Sequence, residues 1–315
     1  MRSSLVYTSR RLGGLAAVLA ASRIGSESHC GPEEPAKRPL NPRDAPVRFR
    51  KDKVFESCTL QPFATVLEPV PNANGKQGML CGTAVRCMLG MCWLEMTRAY
   101  AFGLYVDSSA LRTLARRKYE WTPSGEGATA KPQPTRFLID SKARQPRSWG
   151  ELSLSLRMAI DIDGPHLAHG FKRSVAKQLM AAQAQATAAK AGDAAAQAAM
   201  DAKLLKAMDL DSSKDLPEVE DLARVFEAIG NMSKGTLVTF TWRQDGTLCM
   251  AVDGVARKDF VLRRTAVIRA LFDVYCGEQP VSVEGAEAFR AALVRMTDAI
   301  MAGDSVTDAA AGSRA

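Results

Sequence analysis

Histidine is scarce in this chain, with three among 315 residues, and two of them, His166 and His169, follow closely on Gly164-Pro165. Their place beside a turn favours a turn-surface role over a proton shuttle. The seven cysteines, at 30, 58, 81, 87, 92, 249 and 276, include no C-x-x-C pair, so no metal site is expected. An odd, scattered set reads as reduced, partly buried thiols. Glycine-rich phosphate loops of the Walker and dinucleotide types are both missing, which removes nucleotide enzymes, and no cofactor is expected. The longest apolar run, Leu12 to Ala21, has ten residues. A membrane-spanning helix needs about twenty, so an integral membrane protein is not expected.

Acidic residues are absent from Met1 to Ser26, where Arg2, Arg10, Arg11 and Arg23 stand among Ser, Leu and Ala. That is the composition of an organellar transit peptide, and Leu5, Leu12, Leu15 and Leu19 can share one helix face. The expected address is the mitochondrion, with the plastid as alternative; a secretory signal is the remaining reading of the Arg10-Arg11 pair and the apolar run after it. These four arginines are half of the chain's surplus of +8. The other basic clusters, Arg116-Arg117-Lys118 and Arg263-Arg264, are short and carry no interleaved aromatics. They read as solvated helix faces, and no nucleic-acid partner is expected.

Prolines at 32, 35, 39, 42 and 46 make residues 27–50 an extended linker, with the folded body at 51–302 and a disordered tail at 303–315. Within the body, Leu152, Leu154, Leu156, Met158 and Ile160 alternate with polar or small residues, the pattern of a strand buried on one face. Cys92, Leu94, Met96, Tyr100, Phe102, Leu104 and Val106 also share one parity and predict a long half-buried strand, preceded by another at Leu80 to Leu89. Three prolines and two glycines between Trp121 and Thr135 predict a surface loop. Thr236 to Arg243 and Thr247 to Asp253 flank Gln244-Asp245-Gly246 and predict a hairpin. Helical spacing follows, with one stripe from Leu262 to Val274 and another through Phe289, Leu293, Met296 and Ile300. Hairpin strands followed by clustered helices give an α+β fold with the helices on one face of the sheet.

Between Ala181 and Ala202, thirteen of twenty-two residues are alanine. This predicts an exposed helical insertion over about 181–210, prolonging a helix begun near Phe171 and broken near Gly192-Asp193.

Arg86 lies inside an otherwise small and apolar run, Gly82 to Leu89. It is either an outward strand residue or a charge held in a cleft, and a buried guanidinium implies an anionic partner.

Four segments, Gly78 to Asp107 with GTAVRCM and AYAFGLYVD, GPHLAHGFKRSV from Gly164, KGT from Lys234, and LFDVYCGEQPVS from Leu271, resemble the chalcone isomerase superfamily in order and spacing. The likeness extends over about Val54 to Ile300. It implies an open-faced β-sandwich in which a long antiparallel sheet packs against a layer of α-helices. Arg86 matches the family's arginine. The remaining isomerase positions depart from the family: its threonine falls at Tyr100, its tyrosine at Phe171, its asparagine at Gln178 and its late threonine at about Val274.

Those departures remove hydroxyls that conjugate-addition catalysis needs, while a tyrosine beside the arginine resembles the fatty-acid-binding branch of the family. The resemblance therefore implies a non-catalytic, mitochondrial-type member that binds a fatty acid or similar amphipathic carboxylate. Arg86 and Tyr100 would grip the head group, Phe102, Phe171, Val175, Leu179 and Val274 would offer apolar wall, and Gln178 would stand beside them. The alternative is an intramolecular lyase that keeps Arg86 and uses Tyr100 as its acid. Whether those two side chains share a face depends on the connection at Gly90-Met91: two turn residues separate them, and a bulge or a third turn residue unites them.

Overall fold

Two ten-residue strands, Gly78–Cys87 and Arg98–Asp107, pair antiparallel, with Arg86 directly opposite Tyr100. The computed structural model describes residues 48–50, 53–67, 77–88, 92, 94–123, 131–191 and 217–304. Residues 1–26 of the expected presequence lie outside these, as do Cys30, the connection at Gly90-Met91, the alanine-rich segment beyond Ala191 and the tail from residue 305.

In chain order the strands are β1 (Arg48–Arg50), β2 (Lys53–Phe55), β3 (Pro62–Ala64), β4 (Val66–Leu67), β5 (Gly78–Cys87), β6 (Arg98–Asp107), β7 (Leu152–Met158), β8 (Leu237–Trp242), β9 (Leu248–Val252) and β10 (Val255–Leu262). The helices are α1 (Ser108–Arg116), α2 (Lys118–Trp121), α3 (Pro134–Arg144), α4 (Gly164–Ala191), α5 (Pro217–Ile229), α6 (Thr265–Cys276) and α7 (Val283–Ala302). Seven strands form one antiparallel sheet in the order β10-β9-β8-β7-β6-β5-β4, and β1-β2-β3 form a second, small one. Helices cover one face of the large sheet: α7 lies on β5, and α6 packs on α4. This is the α+β, open-faced sandwich that the sequence predicts.

Local chemistry explains several boundaries. Asp107 ends β6 and caps α1, its Oδ1 accepting from the amides of Ser109 at 2.5 Å and Ala110 at 2.9 Å. Its other oxygen accepts the Glu151 amide at 2.8 Å, which ties the start of β7 to the same carboxylate. At α7 the Ser282 hydroxyl accepts the Gly285 amide at 3.1 Å, and Gly303, at φ 84°, closes the helix in the left-handed region. Between β8 and β9, Gly246 takes φ 89° and Asp245 accepts the Thr247 amide, as the Asp-Gly signal predicts.

Other expectations need correction. The strand predicted from Cys92 begins at Arg98, because Glu95–Thr97 forms a single 3-10 turn and Arg98 is tethered to the carbonyls of Cys92 and Cys58. β6 and β7 are buried on both faces rather than one. Phe63 and Val54 from the small sheet cluster with Leu80, Ala101 and Tyr105 on the face away from the helices, and paired hydroxyls, Ser153 with Thr241 and Ser155 with Thr239, line the continuation of that face. Such hydroxyl ladders look solvent-facing in a sequence.

Strand β1 begins inside the segment read as linker. Helix α4 begins at Gly164, not Phe171, and Leu262 ends β10 rather than opening the helical stripe. Helices α3 and α5 had no prediction, α1 and α2 had only the helix face read at Arg116-Arg117-Lys118, and α3 begins at Pro134, inside the expected loop at 121–135. Finally, Cys87 and Cys92 form a disulfide with Cα atoms 5.2 Å apart, correcting the all-thiol reading. The chain doubles back directly after β5, which brings two residues five apart into bonding range. Cys58, Cys81, Cys249 and Cys276 are free.

Lys142 on α3 is fully buried. Its ammonium donates to the carbonyls of Gly150 at 2.5 Å and Arg243 at 3.3 Å and lies 5.5 Å from the Trp242 ring centre. Among the described residues no helix is long and apolar enough to cross a membrane.

Candidate functional site

The pairing of Arg86 with Tyr100 across β5 and β6 puts both side chains on one face of the sheet. A register shift between Arg86 and Cys87 is the irregularity that unites them. The same face carries Ala84, which meets Gly285 of α7, so Arg86 and Tyr100 aim into the space between sheet and helices. There they border a cavity of about 400 Å3. Met88, Ala99, Ile162, Leu167, Phe171 and Val274 supply its apolar wall. A pocket of this size, mostly apolar with a few convergent polar groups, has the character of a small-molecule site.

Tyr275, which sequence reading passed over in favour of Val274, completes the polar end. Its hydroxyl lies 2.9 Å from that of Tyr100. Both rings are buried: Tyr100 stacks on Phe171 at 6.3 Å, and Tyr275 meets the edge of Phe102 at 4.8 Å. Burial pushes the Tyr100 phenol above its ordinary pKa, against the opposing effects of the Tyr275 bond and the Arg86 charge. Burial also pushes Tyr275 well up, and the neighbouring Tyr100 adds to the shift. Both phenols therefore stay protonated. Two neutral hydroxyls in one bond use one proton between them and leave the other to donate elsewhere. The half-buried Arg86 donates to the Val281 carbonyl at 3.3 Å, and among the described residues its side chain makes no other hydrogen bond.

Beside this cavity lies a second one of about 290 Å3, which shares Arg86, Arg173, Ser174 and Val274 with the first. Gln178 lines it and donates to the Gln279 carbonyl at 3.0 Å. Thus Arg86, Tyr100, Phe171 and Val274 border the apolar cavity, and Gln178 borders its neighbour.

Phe102, Val175 and Leu179, expected as wall, are buried in the core instead. Phe102 shares the face of Tyr100 but sits two residues further under the helix layer, between Tyr275 and Phe289. His166 and His169 are exposed but lie in α4 rather than in a turn, and His166 also stands on the cavity rim. No group of three potential metal ligands occurs among the described residues.

Tyr275 carried one sequence signal. It is a tyrosine inside an apolar helical stripe, and a buried hydroxyl there demands a partner.

No family model and no curated protein sequence matches the chain. Among solved structures, the crystal structure of a fatty-acid binding protein of Arabidopsis thaliana is similar, with a TM-score of 0.50 and 17% identity over 82% of this chain and 98% of that one. At that identity the likeness speaks for architecture alone, and it agrees with the α+β fold, the sheet order and the helix layer described above.

Proposed function

We propose that the protein is a non-catalytic, chalcone-isomerase-like binder of a fatty acid or similar amphipathic carboxylate. One observation carries this reading: a guanidinium and a pair of neutral phenols converge at the edge of an apolar cavity of about 400 Å3. A carboxylate accepts from Arg86 and from the free proton of the tyrosine pair, and such charge-assisted bonds are stronger than neutral ones. The tail lies along Ile162, Leu167 and Phe171. Each methylene removed from water contributes about 0.8 kcal/mol, so chain length sets most of the affinity. The similar Arabidopsis structure is described as a fatty-acid binding protein, which favours this ligand class.

Native mass spectrometry of the purified full-length chain with saturated fatty acids of increasing length tests the reading. The expected result is a one-to-one adduct whose stability grows with chain length. A protein that takes up none of them, and carries no lipid from its host, overturns it. The reading keeps residues 1–26 as a mitochondrial presequence, checked by comparing the location of the full chain with that of a chain lacking residues 2–26.

A further inference from the structure

Three cations border the second cavity: Arg86 from β5, and Arg173 and Lys177 from α4. No carboxylate is among the residues that line it. Neither Arg173 nor Lys177 takes part in any of the ion pairs found among the described residues. The carboxylates adjoining the lining residues Val274 and Gln279, Asp273 and Glu278, face the next groove, where Asp273 pairs with Arg269 and Glu278 with Arg136. Arg173 and Lys177 stand four residues apart on one helix, the spacing at which like charges repel. A carboxylate held by Arg86 and the tyrosine pair leaves the other two cations without an anion and the second cavity unfilled.

We infer that the ligand's head group extends past Arg86 into this second cavity and that it bears a phosphoryl group. The inference rests on the acyl-binding reading and names its head-group chemistry: the acyl carboxyl is esterified, its carbonyl oxygen accepts from the tyrosine pair, and the phosphoryl group lies beyond it. The tail occupies the apolar cavity. The head passes Val274 and Ser174, which border both cavities, and its phosphoryl oxygens accept from Arg173, Lys177 and the outer edge of Arg86. The guanidinium forks match phosphoryl oxygens in pairs, and Lys177 adds a point charge. Gln178 is turned away to the Gln279 carbonyl and shapes the cavity floor.

Isothermal titration of the full-length chain with oleate, with 1-oleoyl lysophosphatidate, with glycerol 3-phosphate and with inorganic phosphate tests this. Both lipids are used below their micelle-forming concentrations. The expected result is a preference for lysophosphatidate over oleate of roughly tenfold or more, the size of one added charge-assisted contact. That preference shrinks in 0.5 M salt and falls to within about twofold in Lys177→Ala and in Arg173→Ala, as expected when screened contacts are lost. Equal affinity for the two lipids, or a preference that both variants retain, overturns the inference. Glycerol 3-phosphate or phosphate binding as tightly as the lipid also overturns it, because the cavity then serves a soluble anion. If neither lipid binds, the acyl-binding reading itself falls, and that outcome is distinct from the others.

Discussion

Tyr100 of β6 and Tyr275 of α6 meet hydroxyl to hydroxyl at 2.9 Å, so sheet and helix layer are joined at the cavity by a bond between two neutral phenols. Either hydroxyl can donate in this bond, and the proton of the other is left for the cavity. Arg86, opposite Tyr100 in the ladder, then sets a permanent charge beside it.

Replacing either tyrosine by phenylalanine strands the other's buried hydroxyl. Tyr100→Phe and Tyr275→Phe each cost about 1–2 kcal/mol of stability, and the double variant costs about 1 kcal/mol less than their sum. Urea unfolding of the four proteins measures this. Strict additivity refutes the pairing.

Arg86→Gln removes the charge and one 3.3 Å bond to the Val281 carbonyl. Loss of a charge-assisted contact is worth roughly 1.5–3 kcal/mol, so fatty-acid affinity drops about 10- to 100-fold. The unfolding midpoint moves by only a degree or two, because Arg86 is half-buried and anchors little of the core. Titration of the variant and a thermal melt separate the two effects; a large melt shift with unchanged affinity contradicts the assignment.

Burial lowers the Lys142 amine from its ordinary 10.5 to about 8, against the pull of Asp107, Glu151 and Asp245. Between those two values the unfolded chain holds more protons than the folded one. Stability on Lys142's account therefore rises with pH across that window, by about 3 kcal/mol in all. The measurement is the difference in unfolding free energy between the protein and Lys142→Met at pH 7.5 and pH 10. The expected outcome is a rise that the variant lacks.

Gly285 sits where α7 presses on β5. A Cβ there meets the Ala84 Cβ at 2.6 Å and the Phe102 Cζ at 3.1 Å. Gly285→Ala overpacks this contact and destabilises by about 1–3 kcal/mol. Ala84→Gly added to it restores part of the loss, which thermal melts of the single and double variants detect. A single variant as stable as the parent contradicts the close approach.

Much of the fold was legible where one physical requirement acts along the chain. The alternation through Leu152 to Met158 and through Tyr100 to Val106 marked β7 and β6, and the spacing of Phe289, Leu293 and Met296 marked α7. The Asp-Gly step marked the β8–β9 turn. Ser153 and Ser155 misled because they satisfy each other's kind across strands, with Thr241 and Thr239, and so tolerate burial. Helix α3 and all but the basic end of α1 escaped notice because the signals that start them, Pro134 and the Asp107 cap, were not followed by a long apolar stripe.

The candidate site divides along the same line. Arg86 stood out by itself as a lone charge in an apolar run, and the resemblance brought Tyr100 beside it. Tyr275 became legible only in three dimensions, because its partner is 175 residues away and is supplied by another layer of the fold. Phe102 and Val175 carry the right chemistry for a cavity wall, but helix packing fills the space before them.

The sequence by itself determined periodicity, turn chemistry and the isolated position of a guanidinium, since these follow from neighbours along the chain. Tertiary structure alone decided three things: that Arg86 and Tyr100 share a face, through a register shift; that two distant phenols bond; and that Arg173 and Lys177 border the same cavity as Arg86. Each depends on how strands slip and helices dock, and those are set by the packing of the whole core.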